Sequence, residues 1–202
     1  MDQLLAIPLP TFLSFALASL IIELTPGPNM TYLALVSASE GRRAGFATVA
    51  GIMLGLAVIG LAAAFGVAQL VYEALRWGGI AFLLYLAWDG WRDASTTEAV
   101  GETDRKFFMR GLVTNLLNPK AAVFYIAVLP NFVDAAQPLL PQTVTLTLVY
   151  VAVATLVHAG IVVLAGAAAP FLTDPRRERI ARRVLSALLA LVARWFGRTT
   201  AR

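Results

Sequence analysis

The sequence predicts an all-α integral membrane protein of about six transmembrane helices, and three observations carry that prediction. Of its 202 residues, 59% are hydrophobic and 14% charged, where soluble domains carry roughly 45–50% and about 25%. Mean hydropathy is +0.75. The apolar residues also gather into runs that approach the roughly 20 residues a helix needs to cross about 30 Å of hydrocarbon. Disorder, coiled coil and collagen are excluded by this composition. The absence of cysteine excludes thiolate metal sites and iron–sulfur clusters, and a single histidine excludes multi-histidine metal sites. No metal or other cofactor is therefore expected.

The spans follow in order. The first runs from Thr11 to about Ser39 and is broken at Pro26, Gly27 and Pro28. The second covers Ala44 to about Leu70, the third Trp77 to Trp91, the fourth Phe108 to Phe132 and the fifth Gln142 to Phe171. A sixth, Val184 to Phe196, is the weakest. Its charge-free stretch, Val184 to Ala193, rises only about 15 Å as a helix. Trp77, Trp88, Trp91 and Trp195 stand near span ends, as interfacial aromatics do. Gly51 and Gly55 give the second span a G-x-x-x-G spacing that reads as close helix packing.

Positive charge sets the orientation. Arg42 and Arg43 lie in the first connection, Arg92, Arg105, Lys106 and Arg110 in the third, and Arg176, Arg177, Arg179, Arg182 and Arg183 in the fifth. The second connection has Arg76 alone, and the N-terminal segment and the fourth connection have no Lys or Arg. Connections one, three and five are therefore expected in the cytoplasm and the N-terminus outside. With no basic n-region before the first run, that run is expected to remain in the mature protein. The basic balance thus belongs to membrane topology, and nucleic acid is not an expected partner.

One transmembrane domain, residues 1–202, is expected. Residues 92–110 form the cytoplasmic connection, with a linker-like stretch from Asp93 to Arg105, between halves 1–91 and 111–202. Three spans on each side would have opposite orientations, the arrangement of a 3+3 inverted repeat. That expectation is topological, because the halves share no convincing residue-level similarity.

The chemistry concentrates at two interruptions. In Glu23-Leu24-Thr25-Pro26-Gly27-Pro28-Asn29, Pro26 disfavours helical geometry at Thr25, and Pro28 suits the first turn of a new helix. The break lies about 23 Å of helix from Ser39, well inside the bilayer. Unwound backbone at that depth is tolerated where it is buried in protein or lines a wet cavity. A packing kink is the plain alternative, but two prolines around a glycine favour a true interruption with a binding role.

Asn115-Leu116-Leu117-Asn118-Pro119-Lys120 repeats the theme in the fourth span, with Asn118 as N-cap and Pro119 in the first turn. Lys120 would then sit near mid-bilayer, where a lysine costs about 2.5–3.5 kcal/mol on insertion scales. Glu23 ends one half-helix and Lys120 begins another, each at the dipole end less favourable for its sign. Either the two pair with each other, as a static structural ion pair would, or they await a ligand bearing both charges, such as a zwitterionic amino acid.

His158, the only histidine, falls in a stripe with Thr143, Thr147, Tyr150 and Ala154. It is a candidate for proton relay beside Glu23 or, alternatively, an interhelical hydrogen-bonding group. Asp89 reads as an interfacial cap.

Thr25-Pro26-Gly27-Pro28-Asn29, then Glu40-Gly41-Arg42-Arg43-Ala44-Gly45, resembles the LysE/RhtB family of bacterial amino-acid exporters. Gly111 to Ala122 followed by Leu129-Pro130-Asn131-Phe132 matches that family's second signature in order and spacing. The resemblance covers Phe12 to Phe132 well, the fifth span loosely and the short sixth least. It implies a six-helix inner-membrane carrier exporting amino acids or related metabolites on the proton gradient, and not an enzyme. It also implies a site built from both breaks: Thr25, Pro26, Gly27, Pro28, Asn29, Asn115, Asn118, Pro119 and Lys120, with Glu23 and His158 as proton-coupling candidates. The expected partners are a small-molecule substrate, the lipid bilayer and a second copy of the chain. Two other classes compete: efflux of another solute or a metal cation, and a non-transport membrane subunit or enzyme. Soft metal ligands, a nucleophile–base constellation and a phosphate-binding loop are all missing from the sequence.

Overall fold

The computed structural model describes residues 7–66, 77–78, 80–82, 84–85, 87–88, 91 and 104–168, together with 176, 179–180, 183–184, 186–188, 190–191 and 194. Asp89, Trp195, residues 92–103, the ends of the expected second and fifth spans and parts of the third and sixth lie outside these residues. The described elements are helical. Helix α1 covers Leu9–Leu24, α2 Pro28–Ser39 and α3 Gly41–Ala64. Helix α4 covers Asp104–Leu116, and α5, Pro119–Val123, continues as a π-helical turn, Phe124–Val128, and a 3₁₀ turn, Leu129–Phe132. Helix α6 covers Leu139–Ala168.

Two of these helices, α3 and α6, are long and apolar enough to cross a membrane alone. The α1–α2 pair, bent by 60°, and the pair made by α4 with 119–132, bent by 46°, bring the number to four if each is one broken span. Both breaks fall at the positions expected from Pro26-Gly27-Pro28 and Asn118-Pro119. Three boundaries differ from the hydropathy runs. Helix α3 starts at Gly41 and its last turn ends at Gly66, whose φ of +71° suits a residue without Cβ. Helix α4 begins at Asp104, so residues 104–110, expected in the third connection, are helical. An acidic residue suits a helix N-terminus, and Asp104 also holds Arg43 of α3 through three hydrogen bonds of 2.7–3.1 Å. A hydropathy scan cannot register that partner.

The bundle buries many of its polar groups and leaves many large aliphatic side chains on its outer surface. Leu9, Leu13, Leu17, Ile21 and Leu24 line the uncovered face of α1, and Leu148, Leu156 and Leu164 that of α6. Ser19, Glu23, Asn29, Ser37, Thr48, Thr114, Asn115, Asn118, Thr147 and His158 are buried. In water this arrangement would waste the hydrophobic driving force. In lipid it is the stable one, because polar side chains are then kept away from hydrocarbon.

Glycine permits the closest helix packing. A Cβ on Gly51 would meet the Phe108 carbonyl oxygen and the Leu112 nitrogen, and one on Gly111 would meet the Thr48 carbonyl oxygen. Helices α3 and α4 therefore touch backbone to backbone, as the G-x-x-x-G spacing suggests. Gly55 faces the Asn115 side chain, and Gly60 faces Thr147 and the Tyr125 hydroxyl. Glycines of α3 thus seat polar groups of α4, the π-helical turn and α6.

Candidate functional site

The first break exists because proline cannot extend a helix. Helix α1 stops at Leu24, Thr25 is extended (φ −71°, ψ 125°), and Pro28 opens α2 after Gly27 at φ −160°, ψ 179°. This is extended backbone that any residue can adopt, and an added Cβ would make only ordinary contacts. A Cβ at Gly27 would lie 3.4 Å from Lys120 Cδ and 3.8 Å from its Nζ. The lysine stem crosses directly over residue 27, and its ammonium donates to the Thr25 carbonyl oxygen at 3.0 Å. The second break is closed by its own sequence. Asn118 caps the new helix, its Oδ1 accepting the Lys120 backbone N–H at 3.0 Å.

Glu23, Gly27, Asn29, Met30, Asn118, Lys120 and His158 surround a cavity of about 10 Å³, room for about one water molecule. Glu23 is 4% exposed and His158 1%. Glu23 Oε1 accepts the Tyr150 hydroxyl at 2.6 Å, and Oε2 stands 3.4 Å from His158 Nε2. Among the described residues neither ring nitrogen of His158 has a hydrogen-bond partner, and the Asn29 Oδ1 is likewise unmatched. Asn29 donates its Nδ2 to Asn115 Oδ1 at 2.8 Å, which ties the start of α2 to α4.

The structure therefore gathers Glu23, Gly27, Asn29, Asn118, Lys120 and His158 from the sequence-derived set around one space. The other five stand behind or beside it. Thr25 contributes its carbonyl to Lys120, while its hydroxyl bonds Ile21 within α1. Pro26 is exposed; Pro28 and Pro119 are buried helix starters. Asn115 is fully buried against Gly55 and reaches the cavity only through Asn29. Glu23 and Lys120 do not pair directly. The carboxylate is held by Tyr150, and the ammonium by a backbone carbonyl.

Sequence reasoning missed three features. Met30 lines the cavity. Tyr150 is the hydrogen-bond donor to Glu23 across 127 residues. A buried aromatic layer of Phe15, Phe124, Tyr125 and Tyr150 packs beside the polar groups. Tyr150 already lay in the polar stripe of the fifth span; nothing local signalled its partner.

The chain shares its sequence with known membrane proteins. A homoserine/homoserine lactone efflux protein of Salmonella typhimurium is 30% identical over 189 residues, covering 89% of this chain and 92% of the relative. A leucine efflux protein of Salmonella choleraesuis is 28% identical over 136 residues, 62% of this chain and 64% of the relative. An uncharacterized membrane protein of Vibrio cholerae is 26% identical over 174 residues, 81% and 85% of the two chains. No solved structure matches the chain. The model of the LysE type translocators matches residues 20–199, a span that contains both helix breaks and every residue around the cavity. The chain therefore belongs to the LysE type translocator family.

Proposed function

We propose that the protein exports a zwitterionic amino acid or small amino-acid derivative across the bacterial inner membrane, exchanging it for protons. The observation that carries this reading is the presence of one carboxylate and one ammonium around a single buried cavity, each tethered by an exchangeable bond and not bonded to the other. Relatives named for homoserine and leucine efflux support the amino-acid class.

The chemistry follows from the charges. A substrate carboxylate approaching Lys120 competes with the Thr25 carbonyl, a neutral and weaker partner. It also meets the N-terminus of α2, where the dipole favours negative charge. A substrate ammonium approaching Glu23 competes with the Tyr150 hydroxyl on the same terms. The two charges of a zwitterion thereby engage both charges of the site, and no unpaired ion is left in hydrocarbon. A substrate with an extra ionised group would find no counter-charge among the residues around this cavity, so neutral side chains are favoured.

Room for one water does not admit an amino acid, so binding requires the half-helices to part. The breaks supply the joints, since α1 and α2, like α4 and α5, meet at one or a few extended residues. With the N-terminus outside and the basic connections in the cytoplasm, rocking about these joints exposes the site to each side in turn. Glu23, with His158 beside it, is the group placed to take up the counter-moving proton when the ammonium leaves. We further propose that a 3+3 inverted repeat underlies this motion, each half contributing one broken helix.

The test is efflux from cells preloaded with a mixture of amino acids including homoserine, with the intact protein compared to Lys120→Ala at equal membrane abundance. The reading expects one or a few neutral amino acids to leave and the variant to release them far more slowly. Release of no amino acid by the intact protein overturns it.

A further inference from the structure

One end of the bundle opens into a space of about 510 Å³ lined by Ala63, Phe65, Tyr125, Leu129, Val133 and Thr143 among others. It is formed by the end of α3, the π and 3₁₀ turns and the start of α6, the end opposite Arg42 and Arg43. In the orientation set by the basic connections, this vestibule faces outside. The polar cavity lies deeper. Thr143 and His158 are 15 residues apart on α6, a rise of about 23 Å.

Between the two spaces stands the aromatic layer, which α1, α6 and the segment after Lys120 each place on the vestibule side of the polar groups. Phe15 precedes Glu23 by eight residues on α1, and Tyr150 precedes His158 by eight on α6, each a rise of about 12 Å. Phe124 and Tyr125 follow Lys120 by four and five residues. The rings close on one another: Phe124 stacks on Tyr150 at 3.9 Å between centroids, Tyr125 meets Tyr150 edge-on at 5.4 Å, and Phe15 lies 5.5 Å from Phe124. All four side chains are at most 2% exposed.

Two tyrosines connect this layer to the spaces on either side. Tyr125 lines the vestibule and bonds the Leu56 carbonyl at 3.1 Å. Tyr150 puts its ring in the layer and its hydroxyl on Glu23. The Phe124–Tyr125 pair sits on the π-helical turn, whose wider ring of hydrogen bonds runs from Leu129 N–H to Phe124 O. Conversion of such a turn to α geometry shifts the register of its side chains without breaking the helix.

Building on the export reading above, we propose that Phe15, Phe124, Tyr125 and Tyr150 form the outer gate of the translocation path, and that Tyr150 is the positioning residue that keeps the gate shut while its hydroxyl holds Glu23. When a substrate ammonium takes Glu23, the tyrosine loses its anchor and its ring is free to leave Phe124. Occupancy of the site and opening toward the vestibule are thereby coupled through one hydrogen bond.

The chain has no cysteine, so single cysteines report accessibility directly. In intact cells, a charged, membrane-impermeant methanethiosulfonate applied from outside would be timed against Met30→Cys in the cavity, Thr143→Cys in the vestibule and Ser37→Cys in the buried wall nearer the basic end. Thr143→Cys should label fast and Met30→Cys slowly. Adding Tyr150→Phe, which keeps the ring and removes the hydroxyl, should raise the Met30→Cys rate about two- to tenfold, the population shift that one buried hydrogen bond supports. The other two rates should not move, whereas general loosening of the fold would raise Ser37→Cys as well. Phe124→Leu, which removes the stack and keeps the hydroxyl, should act in the same direction.

An unchanged Met30→Cys rate in both variants, a Ser37→Cys rate that rises equally, or a Thr143→Cys residue unreactive from outside overturns the gate. The measurement needs no substrate. A specific rise with no amino acid exported upholds the gate and overturns the export reading, while unchanged labelling with export intact does the reverse.

Discussion

The two helix breaks look alike in sequence and differ in how they are finished. At Asn118-Pro119 the chain caps itself: the asparagine side chain accepts the Lys120 N–H, and the bend is 46°. At Pro26-Gly27-Pro28 no side chain caps the new helix, and the bend is 60°. The exposed carbonyl of Thr25 is held instead by the ammonium of Lys120, 95 residues away. The second break is thus a self-contained joint that presents a cation. The first is an unfinished one whose backbone is completed by that cation and stays open to exchange. A binding site needs both kinds, a support that stays and a partner that lets go.

Four substitutions bear on this contrast. Lys120→Ala removes the cation and the partner of Thr25 together, and efflux should fall about 10- to 100-fold, the scale of one charge-assisted contact. Efflux kinetics at matched abundance would check it, and retained transport would mean that the first break does not depend on the second. Glu23→Gln keeps the shape and a hydrogen-bond acceptor for Tyr150 but removes the proton-exchanging carboxylate. Export against a gradient should be lost, while downhill release persists at about tenfold lower rate, a loss assigned to one charge-assisted contact. Measuring both modes in the same vesicles separates them, and equal loss in both would assign Glu23 to binding alone.

Asn118→Ala strips the cap and should cost about 1 kcal/mol of stability, visible as a lowered thermal midpoint, with Asn118→Ser restoring most of it. If alanine costs nothing, the second break is no better finished than the first. Gly27→Ala is expected to change least, about twofold or less in efflux, because the backbone there is extended and the new methyl makes only ordinary contacts with the flexible lysine and the Thr25 carbonyl oxygen. A large loss would show that Lys120 has no room to yield.

The same contrast marks what a reading of the sequence reaches. Both breaks were legible, because proline and an N-capping asparagine act on their own neighbours. So were the buried charges, because few ionisable residues interrupt the apolar runs. The partners were not. Asn29 meets Asn115 across 86 residues, and Glu23 meets Tyr150 across 127; such pairings are decided by helix packing, which the glycines of α3 make close. The helical start of α4 at Asp104, ahead of the apolar run, was not legible for the same reason, since Asp104 is held in part by Arg43 on another helix. The aromatic layer consists of residues that are ordinary core residues one at a time and acquire a role only by packing together.

The central claim is that Lys120 and Glu23 receive the two charges of one zwitterion, and a substrate-by-variant cycle tests it most directly. The exported amino acid and its methyl ester, which lacks the carboxylate, would compete for binding to the intact protein and to Lys120→Ala. The account predicts that the intact protein prefers the amino acid by about tenfold or more and that Lys120→Ala erases the preference, because the ester has nothing for the lysine to hold. An undiminished preference in Lys120→Ala would contradict the account and place the substrate carboxylate elsewhere.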